Sequence, residues 1–159
     1  MPKRFYSEAY ASVPFAAEDL DPLHVTLQLR LPPDHTHRWG EPRLTRSGHT
    51  GRVREYAPYS QGMWSMSSRG WVDSPRLAAH IEWLLKELEP KSTEVHALIA
   101  SGVSGDIFCY SRGKTAQPPA IPKRLRERGT ALGLSIGIDH YPDAEQDAAG
   151  DPRPGIVPE

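Results

Sequence analysis

The chain has 159 residues, of which 38% are apolar and 25% charged, with a formal net charge of −1. That length suffices for one domain burying roughly two-thirds of its unfolded surface, while the near-zero charge excludes any bulk pull toward nucleic acid or anionic lipid. The lone cysteine, Cys109, cannot close an internal disulfide, no apolar run approaches the roughly 20 residues of a membrane span, and the charged start Met1-Pro2-Lys3-Arg4-Phe5 lacks the apolar stretch of a secretory leader; a cytoplasmic protein with no membrane segment is expected.

In chain order, Phe5 to Val13 reads as a strand, with Ala9, Ala11 and Val13 inward and Tyr6, Glu8, Tyr10 and Ser12 outward. Asp21 to Leu31 is ambiguous: Leu23, Val25, Leu27, Leu29 and Leu31 alternate like a strand, yet Asp21-Pro22 is a helix-start signal. The stretch from Pro42 to Gly62 reads as a basic loop, and Gly62-Met63-Trp64-Ser65-Met66-Ser67 as the strand leaving it.

Ser74-Pro75 predicts a capped helix start. Leu77, Ala78, Ile81, Leu84, Leu85 and Leu88 then fall on one stripe at the helical period. Pro90 predicts a kink, after which Val95, Leu98 and Ile99 continue to Gly102. Asp106 to Tyr110 and Leu134 to Tyr141 alternate as strands, the latter with Leu134, Ile136 and Ile138 inward. A short helix from Pro122 to Gly129 lies between them. The expected architecture is α+β: one largely antiparallel sheet of four to five strands with two to three helices packed mainly on one face. Residues 1–141 are expected to form a single domain, and the acidic, Pro-rich residues 142–159 a disordered tail.

Several segments carry a family resemblance. They are Asp19-Leu20-Asp21-Pro22 with Val25-Thr26, Trp39-Gly40-Glu41, Met63 to Ser68, His80 to Leu85 through Leu88-Glu89-Pro90, Phe108-Cys109-Tyr110, and Leu132-Gly133-Leu134 leading to Ile138-Asp139-His140-Tyr141. In this order, over about residues 6–141, the chain resembles the bacterial domain-of-unknown-function family numbered 4279. The resemblance implies a helix over residues 22–30, with two departures: Arg30 stands where a glycine would end that helix, and the loop from Pro42 to Gly62 is longer than usual. It implies a fold and no catalytic residues, since the family's name carries no activity.

The residues themselves offer candidates for chemistry. His35 and His37, with His24 and His49 nearby in sequence, are imidazoles of metal-ligand type, but structural zinc needs four ligands and Cys109 is the one thiolate available; the plainer reading is a polar loop, with no metal and no cofactor. A nucleophile would be Cys109 or one of Ser65, Ser67 and Ser68, with His80 or His140 as base and Asp139 as orienter. Cys109 shares the register of Ile107 and is expected in the core. The arginines 38, 43, 46, 52 and 54, with Trp39 and Tyr56, keep weak nucleic-acid binding through the middle loop open, as do Lys123, Arg124, Arg126 and Arg128, although the net charge argues against it.

The most informative feature is the sheet face that helices on one side would leave open. Tyr6, Glu8, Tyr10, Phe108, Tyr110, Asp139 and Tyr141 share it, and rigid tyrosines with fixed charges suit protein contact. Strand preference alone also brings tyrosine to such faces. Trp83 lies off the leucine stripe, so either a loop covers it or it is a contact residue. A non-enzymatic protein-binding module follows, of which an immunity-type protein neutralising a bacterial toxin is one form. The enzymatic alternative makes Glu8 and Asp139 an acid/base pair on the same face, and self-association through that face is a third outcome.

Overall fold

A computed structural model describes residues 6–143, with side chains from Glu8 onward. The side chain of Tyr6, the residue Phe5 and all but the first two residues of the expected tail lie outside the described part. The element order is β1 (Tyr6–Ala17), α1 (Pro22–Leu29), β2 (His35–His37), β3 (Arg43–Arg46), β4 (Val53–Tyr56), β5 (Gly62–Ser67), α2 (Leu77–Leu88), a 3-10 turn (Glu89–Lys91), α3 (Ser92–Ala100), β6 (Ser104–Gly105), β7 (Ile107–Gly113), α4 (Lys123–Ala131) and β8 (Ile136–Pro142).

The main sheet runs β2-β5-β1-β7-β8, with β6 also pairing β1, while β3 and β4 form a separate two-stranded ribbon. Pairing is antiparallel except between β7 and β8, which run parallel. A parallel neighbour requires a crossover, and α4 lies within it. The fold is therefore α+β with a mixed, mostly antiparallel sheet.

Alternation decides which face the helices take. Ala11, Val13, Phe15, Trp64, Met66, Ile107 and Cys109 all point to one side and are almost wholly buried. Against them packs the α2 stripe of Leu77, Ile81, Leu84, Leu85 and Leu88. The Pro90 kink is the 3-10 turn joining α2 to α3, as a missing amide and a ring clash inside a helix demand.

The ambiguous segment resolves as helix. The Asp21 carboxylate accepts from the Leu23 amide and Pro22 fills the first turn, so the local cap outweighs the alternation. Arg30 ends α1 at φ 56°, taking the left-handed conformation that glycine holds without strain.

Several expected bounds move: β1 runs on to Ala17 and β7 to Gly113, and β8 begins at Ile136. Helix α2 begins at Leu77 with no side-chain cap, because Ser74 Oγ instead accepts from the Arg76 amide in a local turn. Helix α4 runs past Gly129, which lies buried within it; a Cβ there would sit 3.0 Å from the Leu134 carbonyl oxygen, and the glycine that turns the chain is Gly133 at φ 81°. The expected polar loops around His35 and Arg43 to Arg54 are instead the edge strand β2 and the β3–β4 ribbon.

Candidate functional site

The open face of the sheet is built by register. Tyr10 of β1 stands opposite Tyr110 of β7, and in the parallel pair Tyr110 aligns with Asp139 and Arg112 with Tyr141 of β8. Cross-strand neighbours lie close enough for rings to stack. Tyr10 and Tyr110 have centroids 5.0 Å apart at 17°, and Tyr110 and Tyr141 follow at 5.5 Å and 34°.

Each end of this ladder carries a charge. The Arg69 guanidinium lies 5.3 Å from the Tyr10 centroid and 3.6 Å from the Glu8 carboxylate. At the other end the Tyr141 hydroxyl donates to Asp139 at 2.7 Å; that bond and the carboxylate charge push the phenol above its usual value. Phe108, 37% exposed, and Tyr141, 43% exposed, are the apolar surfaces most open to a partner here.

Of the expected face residues, Glu8, Tyr10, Phe108, Tyr110, Asp139 and Tyr141 thus share one surface. Trp83 does not. It sits on α2, on the helical side, partly buried against the core and stacked 6.0 Å from Trp71 at 16°. Trp71 went unnoticed in sequence; its signal was its place directly after Gly70, where a turn can fold an indole back over the helix.

Glu8 and Asp139 are two strands and two residues apart by register. At strand spacings of about 4.8 Å and rises of about 3.3 Å, this separates their Cα atoms by about 12 Å. Their carboxylates engage Arg69 and Tyr141 rather than each other.

The nucleophile candidates are absorbed into the structure. Cys109 is fully buried, and burial pushes its thiol up to about 12, so almost no thiolate exists at neutral pH. Ser68 and His80 do meet, Oγ to Nδ1 at 2.7 Å. His80 Nε2, however, lies 2.7 Å from the Ser74 carbonyl, which can only accept; Nε2 therefore carries the proton and Nδ1 accepts from Ser68. Ser68 Oγ in turn accepts from the Ala11 amide at 3.0 Å. With both residues buried, this is a closed knot joining β1, the end of β5 and α2.

His140 follows the same pattern. Its Nδ1 lies 3.2 Å from Ser111 Oγ and its Nε2 2.8 Å from the Thr115 carbonyl. Asp139 lies on the opposite face of β8.

At the far edge, β2 places His35 and His37 opposite Ser65 and Met63. His37, only 6% exposed, stacks on Tyr59 at 3.5 Å and 10°. Burial holds its pKa below the usual histidine value, the nearby His35 and Arg43 add to this, and Glu41 opposes it. His35 Nε2 lies 2.8 Å from His37 Nδ1. Among the described residues no group of three or more His, Cys, Asp and Glu side chains converges.

Arg43 covers Tyr56 and Tyr59 at 5.3 and 5.7 Å. Every residue of β3 and β4 is exposed, and the ribbon curls around a cleft of about 770 Å³ whose lining includes Arg46, Arg52 and Arg54.

No helix among the described residues is long and apolar enough to cross a membrane. The family model described as Domain of unknown function (DUF4279) matches residues 7–143, and the chain belongs to that family. No curated protein and no solved structure matches it.

Proposed function

We propose that this DUF4279 member is a non-enzymatic protein-binding module that docks its partner on the open sheet face. The observation behind this reading is the line of three contacting rings, Tyr10 stacked on Tyr110 and Tyr141 tilted against it, between Arg69 and Asp139. Stacking and the terminal charges already restrict these side chains, so binding forfeits little further rotamer entropy. Opposite charges at the two ends would give a partner a preferred orientation. An immunity-type role, in which the face covers a bacterial toxin, is one form of this function.

The test installs a photo-crosslinking residue at Phe108 in the intact chain, in its own lysate, and then measures affinity for the captured protein. Tyr10→Ala and Tyr141→Ala are each expected to weaken that affinity at least about tenfold, as truncated interface anchors do. Unchanged affinity in both variants, with far-UV dichroism intact, would overturn the reading.

A second reading has the ribbon behind it: Arg46, Arg52 and Arg54 around one cleft could meet a nucleic-acid backbone. It predicts oligonucleotide binding that weakens steeply with salt. Binding absent at low salt removes it.

A further inference from the structure

The edge strand β2 carries two imidazoles that its alternation brings to one face, His35 and His37. The facing nitrogens, His35 Nε2 and His37 Nδ1, are 2.8 Å apart. Metal–imidazole bonds of about 2.0–2.1 Å set two cis nitrogens about 2.9 Å apart at a right angle and about 3.4 Å apart at a tetrahedral one. We infer that His35 and His37 form an open, two-nitrogen chelating site for a late first-row divalent cation, Cu²⁺ above all.

The two rings contribute differently. His37 is fixed, packed flat on Tyr59 and almost wholly buried. His35 is exposed, and a small ring rotation re-aims its lone pair from its neighbour toward a shared metal position. Without metal, one ring donates to the other through this contact; for both nitrogens to face a cation the donor ring takes its other neutral tautomer, its proton passing through solvent to the far ring nitrogen, and the cation gives up bound water for two neutral imidazoles. No third protein ligand of His, Cys, Asp or Glu type joins them among the described residues, which leaves the other coordination positions to water or an incoming ligand. A square-planar or tetragonal ion suits this arrangement better than a closed tetrahedral one. Copper also stands highest in the affinity order for such nitrogen donors.

The test titrates the intact chain with Cu²⁺ alone in a non-coordinating buffer, followed by electron paramagnetic resonance and by calorimetry. The expected result is a one-equivalent phase showing hyperfine coupling to two imidazole nitrogens and a binding heat of the same stoichiometry. This phase weakens at least tenfold in His35→Ala and persists in His24→Ala and His49→Ala. Because His35 is exposed, an unchanged unfolding midpoint verifies that its variant is folded. A Cu²⁺ phase that survives His35→Ala, or disappears instead in the His24 or His49 variant, overturns the inference.

Discussion

Replacing Ser68 by alanine deletes one oxygen and orphans two buried groups at once. The Ala11 amide loses its acceptor, and His80 Nδ1 loses its donor. His80 cannot recover by changing tautomer, because its Nε2 proton is held at the Ser74 carbonyl. Each orphan costs about 1–3 kcal/mol, and a water drawn into the gap would return part of this. The expected loss is therefore roughly 2–4 kcal/mol, a large share of the 5–15 kcal/mol typical of a whole domain. Urea unfolding should show a lower midpoint at unchanged slope, and the melting temperature should fall by about 4–16 °C at 2–4 °C per kcal/mol. Ser65→Ala, on the open face, serves as control and should stay within about 0.5 kcal/mol. A loss below about 1 kcal/mol for Ser68→Ala, or labelling of Ser68 by a fluorophosphonate in the folded protein, would refute the closed-knot reading and restore Ser68 as a nucleophile.

Gly62→Ala should destabilise by about 1–3 kcal/mol through overpacking, since a Cβ there would lie 2.1 Å from the Leu20 backbone oxygen; chemical denaturation checks it, and a neutral result would mean that the turn before α1 yields freely. The Cys109 thiol, fully buried and pushed up to about 12, should react with a disulfide reagent only at the rate of unfolding, so fast labelling under native conditions would contradict its placement. Arg128 bonds both Glu82 and Glu89, and together with Arg124 on Glu82 it holds these carboxyls below their ordinary 4.5. A depressed folded pKa contributes stability above the unfolded value, and that contribution disappears as pH falls through the folded one. Arg128→Ala should therefore lose less stability than wild type between about pH 6 and about pH 3, by a modest and salt-sensitive margin because the pairs are partly exposed. Parallel melting curves across that interval would disprove the linkage.

How much was legible in the sequence depended on burial. The α2 stripe, the Pro90 kink and the two faces of β1 and β8 could be read because one side of each is buried and the other is not. The β3–β4 ribbon left no such trace, since every residue in it is exposed and period-2 contrast requires a buried face. Ser74 misled as a cap because a serine before a proline satisfies the local rule, while its hydroxyl is taken by the Arg76 amide in a local turn ahead of the helix. His80 was visible as a histidine at i+3 from Leu77 and i−4 from Leu84, a core position for a polar ring, but its partners Ser68 and Ser74 are brought to it only by the fold. Nor could pattern reveal that β8 runs parallel to β7.

That parallel pairing is what assembles the candidate site. It sets Asp139 beside Tyr110 and Tyr141 beside Arg112, so a ladder begun by Tyr10 and Tyr110 across an antiparallel pair extends onto a third strand. The opposite strand direction would align different residues of β8 with β7 and break the line of rings. On the other face His140 of β8 ties Ser111 of β7 to the Thr115 carbonyl, and beside it His80 of α2 ties Ser68, bonded to the Ala11 amide of β1, to the Ser74 carbonyl. Residues that would have been read as catalytic thus brace the sheet from below. A plate braced in this way holds its tyrosines in place, which is what the proposed docking surface requires.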